Sequence, residues 1–119
     1  MKQVLWISRH EMTRPQLTDL CRVMDDEVRL LPWRDTVEDV NLLAPALQKA
    51  DAAAVVLPPE LLAKLLPLAR GKPVLQAVAG RQPTGRVITL PDGRQEQEFA
   101  LTHRGWQQIL RLDLETRML

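Results

Sequence analysis

Over the first two thirds of the chain, short runs of continuous apolar residues alternate with stretches of helical spacing. Val4-Leu5-Trp6-Ile7 is apolar throughout and bounded by polar residues, the pattern of a strand buried on both faces in a parallel sheet. Ser8-Arg9-His10 ends it. Thr13 and Gln16 have capping-box spacing, Pro15 stands in the first turn, and Leu17, Leu20, Cys21 and Met24 share one face of the helix this predicts. Asp25-Asp26 turns the chain into a second strand, Val28 to Trp33. Thr36 is expected to cap a helix that buries Val37, Val40, Ala44 and Leu47, kinked by Pro45 or restarted at Asn41. Ala52 to Leu57 is the third strand. Pro58-Pro59-Glu60 opens a helix with Leu62, Leu65, Leu66 and Ala69 inside, stopped by Gly71, and Val74 to Ala79 is the fourth strand.

Residues 1–80 therefore read β-α-β-α-β-α-β, the alternation that builds a parallel sheet with helices on both faces. The last third has a different texture. Gly80 to Gly85 reads as a loop, and Arg86 to Leu90, the turn Pro91-Asp92-Gly93 and a return through Phe99 to Leu101 read as a hairpin. Thr102 is expected to cap a short helix around Gly105 to Ile109. Leu110, Leu112 and Leu114 alternate with Arg111, Asp113 and Glu115 as a final half-buried strand. The predicted fold class is α/β: a single Rossmann-like three-layer sandwich over residues 1–119, with four parallel strands and antiparallel C-terminal strands.

Composition narrows the partners. With 119 residues, 45% hydrophobic and 26% charged, the chain has the make-up of one globular domain, long enough to build a core without disulfides or a structural metal. A single cysteine, Cys21, excludes an intramolecular disulfide and suits a reducing compartment. No apolar run approaches the ~18 residues of a membrane span, and Met1-Lys2-Gln3 leads into a strand rather than a signal-peptide core, so the expected location is the cytoplasm with no membrane partner. A net charge of +1 argues against a long nucleic acid. Between Leu61 and Pro91, however, stand Lys64, Arg70, Lys72, Arg81 and Arg86 with no acidic residue, so one edge can favour a compact anion.

Open α/β sheets bind ligands beyond the carboxyl ends of their parallel strands, near the point where strand order reverses. That rule selects Ser8, Arg9 and His10 after strand 1, Trp33 and Arg34 after strand 2, Pro58, Pro59 and Glu60 after strand 3, and Arg81, Gln82, Thr84 and Arg86 after strand 4. Helix starts at Thr13 and Pro59 add backbone donors to the same rim, which suits phosphate. No G-x-G-x-x-G follows strand 1 and no P-loop motif is present, so dinucleotides and ATP are disfavoured. The carboxylates of a phospho-acceptor receiver are missing, and His10 and His103 have no metal-ligand spacing, so no metal or other cofactor is expected. At the end of strand 1, His10 can move a proton near neutral pH, Arg9 can neutralise charge on a phosphate and Ser8 can donate to it. The plain alternative has His10 capping the next helix, Arg9 pairing with Glu11, and His103 standing at a helix start.

The strand Val4 to Ile7 running into S-R-H-E-x-T at Ser8 to Thr13, in a small α/β body, resembles the small CRISPR-associated ring nucleases, relatives of Rossmann-like domains that sense cyclic oligoadenylates. The resemblance implies a homodimer with the cyclic oligoadenylate across its twofold axis. It also implies metal-free cleavage by attack of a ribose 2′-hydroxyl on the neighbouring phosphate, ending type III CRISPR signalling. Ser8, Arg9 and His10 would be the catalytic set, and Arg81, Arg86, Thr84, Pro58, Glu60 and Gln82 the ligand-binding set by position. Arg9-His10 and Thr102-His103-Arg104-Gly105 also resemble the two histidine motifs of histidine phosphatases, with Glu11 in place of the glycine. A third reading is a dimeric module that sequesters a cyclic nucleotide without cleaving it.

Overall fold

The computed structural model describes residues Met1–Leu119. In chain order the elements are β1 (Lys2–Ile7), α1 (Arg14–Met24), β2 (Val28–Trp33), a 3-10 turn (Val40–Leu43), α2 (Ala44–Lys49), β3 (Ala52–Val55), α3 (Pro59–Ala69), β4 (Val74–Thr89) and β5 (Gln95–Gln108). The architecture is mixed α/β: a five-stranded mixed sheet in the order β2-β1-β3-β4-β5, with three helices. β1 pairs in parallel with β2 and β3, β3 pairs in parallel with β4, and β5 returns antiparallel to β4.

The continuous apolar runs are explained by burial on both faces. Leu5, Ile7, Ala53, Val55 and Val74 point into one cluster with Val40, Leu43, Leu47, Leu62 and Leu65 from the 3-10 turn, α2 and α3. Val4, Trp6, Ala52, Ala54 and Leu75 point the other way, onto Leu20 of α1. A full hydrophobic set on each face is what two helical layers require of a strand. β3 consists of Ala-Ala-Ala-Val, all buried. Its small side chains leave room above the sheet, and there Trp6 of β1 and Trp106 of β5 meet edge to face with ring centroids 6.2 Å apart, a favoured aromatic geometry.

α1 forms as its sequence predicts. Thr13 Oγ1 accepts from the Gln16 amide at 3.3 Å while Gln16 Oε1 accepts from the Thr13 amide at 2.9 Å, a reciprocal capping box. The second helical segment differs from expectation, because Thr36 caps nothing. Asp39 caps the 3-10 turn through a 2.9 Å bond from the Asn41 amide, and Pro45 then sits in the first turn of a six-residue α2. Lys72, one of the five cations of the basic stretch, is used structurally: Nζ donates to the Leu47 and Gln48 carbonyls at 2.7 and 3.0 Å, at the carboxyl end of α2, where a cation offsets the helix dipole.

The last third is corrected most. Gly80 to Gly85 is not a loop; it lies inside β4, which runs unbroken to Thr89. No helix follows Thr102, because residues 95–108 are the long partner strand β5, and residues 109–119 hold no strand at all. The turn at Pro91-Asp92-Gly93 is where it was expected, closed by Leu90 N–H to the Arg94 carbonyl at 2.8 Å and by Gly93 at φ +88°, a left-handed value that glycine reaches without strain. β5 contains a bulge: Val78 faces Gly105 and Ala79 faces His103, so Arg104 is the extra residue. The Arg104 side chain lies across Gly80, where a Cβ would come within 2.3 Å of its Cδ.

Candidate functional site

Pairing registers place the rim. Ile7 faces Val55, and Ala54 faces Leu75, so Ile7, Val55 and Gln76 lie on one line across the sheet. Beyond that line the chain leaves β1 and β3, while β4 and β5 continue as a two-stranded arm. β1 and β3 are the inner neighbours at which the chain's route reverses: the path from β1 goes outward to β2 and then returns past β1 to β3. Helix α1 covers one face and α2 and α3 the other, and the ends of these two strands are where an open α/β sheet generally places its ligand.

Ser8, at the end of β1, is the buried polar residue of the core, 8% exposed. Its amide donates to the Trp33 carbonyl at 3.2 Å, and its Oγ accepts from the His10 amide at 3.1 Å. Trp6 Nε1 donates to the His10 carbonyl at 2.9 Å. These bonds fix the backbone of Ser8-Arg9-His10 from both sides and leave the Arg9 and His10 side chains exposed. Arg9 Nη2 donates to Thr36 Oγ1 at 2.5 Å, which orients the guanidinium while leaving further donors. Glu11 pairs with Arg34 at 3.4 Å rather than with Arg9. Pro58 is the N-cap of α3, with its carbonyl accepting from Leu61 and Leu62 at 3.1 and 3.0 Å, and Glu60 stands in the first turn. Glu60 lines a cavity with Lys64 and the tail residues Leu112, Asp113, Leu114 and Thr116, whereas Ser8, Arg9 and His10 after β1 and Pro58 after β3 stand at the carboxyl ends of neighbouring strands.

Arg81, Gln82, Thr84 and Arg86 do not gather there; they are exposed along the arm, past the rim. The Arg81 guanidinium lies over the Phe99 ring, 4.5 Å from its centroid, a cation–π contact. Thr84 Oγ1 accepts from the Arg86 amide at 3.2 Å and donates to Glu98 Oε2 at 3.3 Å, so a carboxylate already engages this position. No group of three or more His, Cys, Asp or Glu side chains gathers at one point.

A second constellation was not visible in the sequence. The bulge turns His103 toward α1, where Nε2 meets Asp19 Oδ2 at 2.8 Å. The imidazole is 7% exposed, tilted against Trp106 at 5.7 Å, and Trp106 Nε1 donates to the Gln16 carbonyl at 3.0 Å. Asp19 also receives Arg22 Nε at 2.8 Å. The hydrogen bond from His103, with that from Arg22, holds the Asp19 carboxyl below the usual carboxylate range. His103 is therefore a strand residue locked to a helix, not a helix-start residue. The one available signal was the period-two alternation Phe99, Leu101, His103, broken by a single step before Trp106.

No protein-family model matches the chain, and neither the curated proteins nor the solved structures contain a match to it.

Proposed function

We propose that this chain is a Rossmann-like, metal-independent ring nuclease that binds and cleaves a cyclic oligoadenylate, with cyclic tetra-adenylate the ring to test first, and so switches off type III CRISPR signalling. One observation carries the reading: Ser8-Arg9-His10 stands at the carboxyl end of β1 with its backbone pinned and the Arg9 and His10 side chains exposed, Arg9 oriented by Thr36. Function in such sheets is placed at this point.

The chemistry asked of these residues is limited. A ribose 2′-oxygen attacks the adjacent phosphorus, the bond to the 5′-oxygen breaks, and the products end in a 2′,3′-cyclic phosphate and a 5′-hydroxyl. The 2′-oxygen loses a proton and the 5′-oxygen gains one. Arg9 offsets the charge that builds on the non-bridging oxygens. The exposed His10 imidazole moves the proton. Binding supplies the in-line geometry, which for a closed ring with neighbouring hydroxyl and phosphate is a large share of the barrier. We further propose that two copies form the site in the cytoplasm, since one rim presents Arg9 from a single strand end and a ring carries several phosphates.

The histidine-phosphatase alternative needs both imidazoles at one phosphate. His103, on β5, is instead buried and bound to Asp19 of α1, whereas His10 is exposed on the loop after β1. The discriminating experiment incubates the protein with cyclic tetra-adenylate in the presence of a chelator and, separately, with p-nitrophenyl phosphate. Linear adenylates with cyclic phosphate ends support the reading. Binding without cleavage supports the sequestering module, and hydrolysis of the monoester alone supports the phosphatase.

A further inference from the structure

The loops that leave β1 and β2 are stitched together by three contacts. Ile7 pairs with Trp33, and the Ser8 amide carries the ladder one step further by donating to the Trp33 carbonyl at 3.2 Å. Beyond it, Arg9 Nη2 donates to Thr36 Oγ1 at 2.5 Å and Arg34 Nη2 donates to Glu11 Oε1 at 3.4 Å. Each loop thus contributes one arginine and one acceptor, two positions apart. Two residues span at most about 7.6 Å between Cα atoms, so both guanidinium groups spring from one small patch. They are held differently. Arg9 meets a neutral hydroxyl, which orients it without cancelling its charge. Arg34 meets a carboxylate through a single contact between side chains 60% and 83% exposed, and an ion pair so open to water is worth little. Asp35 pairs with neither arginine.

We propose that Arg9 and Arg34 form a two-arginine site for a ligand with two neighbouring phosphate groups, and that Glu11 is the internal anion that holds Arg34 until the ligand replaces it. A phosphate meets a guanidinium through two parallel N–H bonds, a better geometry than the single contact Glu11 makes. Residues 8–11 and 34–36 balance Arg9 and Arg34 against Glu11 and Asp35, so displacing Glu11 is the step that frees a positive charge at this rim. Arg34 is then the second phosphate contact of the site, and Glu11 sets its affinity by competing for the same guanidinium. The inference rests on the phosphate reading of Arg9 and is independent of whether the bound ligand is cleaved.

The test is calorimetry at low ionic strength, where exposed charges are least screened, with inorganic phosphate, pyrophosphate and cyclic tetra-adenylate as probes and a chelator present. Pyrophosphate is expected to bind more tightly than phosphate. Arg34→Ala, at an exposed position, is expected to weaken pyrophosphate binding about tenfold or more with the melting temperature retained. Glu11→Gln is expected to tighten it about two- to fivefold, the scale of an exposed ion pair, and to gain nothing once Arg34 is alanine, because Glu11 acts through that side chain. Arg29→Ala, which removes an exposed cation near the start of β2, controls for net charge and is expected to bind as the wild type does. Wild-type affinity in Arg34→Ala, or the same gain from Glu11→Gln with and without Arg34, overturns the proposal. Cyclic tetra-adenylate cleaved with Arg9 required and Arg34 dispensable refutes this inference alone. Pyrophosphate held by both arginines in a protein that neither binds nor cleaves the ring refutes the nuclease reading and leaves the two-arginine site standing.

Discussion

At the scale of single residues, two histidines have been given different tasks by their surroundings. His10 is exposed on a pinned loop, whereas His103 is enclosed and held by Asp19. The depressed Asp19 carboxyl makes a pH prediction with a definite sign. A group whose pKa is lower in the folded chain stabilises the fold above its unfolded pKa, and that contribution disappears as pH falls through the folded value. Asp19→Asn is therefore expected to lower the urea midpoint at neutral pH and to show a smaller loss on acidification than the wild type. Parallel midpoint-against-pH curves for the two proteins would contradict this. Arg9→Ala is expected to weaken binding of cyclic tetra-adenylate by about 1.5 to 3 kcal/mol, the worth of a charge-assisted contact, measured by calorimetry. Ser8, Arg9 and His10 were legible in sequence because a strand end in an α/β pattern fixes their place. Asp19 and His103 were not, because their meeting depends on a one-residue bulge 84 positions away along the chain.

At the scale of elements, legibility followed local determinism. α1 carries its own capping box and apolar stripe, so its limits could be read directly; Thr13→Ala is expected to cost about 1 kcal/mol in equilibrium unfolding, the usual worth of a cap. β1, β2 and β3 were legible as strands, although β3 ends at Val55, two residues short of the expected Leu57. β4 was misjudged because Gly80, Pro83 and Gly85 have the composition of a loop. Past the rim, β4 has no neighbour on its β3 side, and an unpaired edge tolerates proline and glycine that an inner strand would reject. β5 was misread for a related reason: Thr102 looks like a helix cap only if the preceding residues are a loop. The alanine strand β3 makes a packing prediction. Ala54 is fully buried beside Trp6, so Ala54→Leu overfills the layer that holds the Trp6–Trp106 pair and is expected to destabilise by about 1 to 3 kcal/mol. A midpoint no lower than that of the wild type would show that the layer has spare room.

At the scale of the molecule, the radius of gyration is 17.5 Å, against roughly 13.5 Å for a compact domain of this length. The β4–β5 arm runs on past the rim and carries Val87, Ile88, Phe99 and Leu101 exposed. A two-stranded ribbon is marginal in water by itself, and covering these side chains is a natural role for a second copy in the proposed dimer. Light scattering is expected to give twice the chain mass at micromolar concentration, and Phe99→Asp with Leu101→Asp is expected to return the monomer.

If Ser8-Arg9-His10 forms a metal-free phosphodiester-cleaving site, single-turnover cleavage of cyclic tetra-adenylate by His10→Ala in chelator reveals it. His10 contributes nothing to the core, so the variant should fold and bind the ring as the wild type does. Its cleavage should be slower by about 10²-fold or more, the range for a lost proton-transfer group. Cleavage at the wild-type rate, or no cleavage by the wild type itself, would contradict the account.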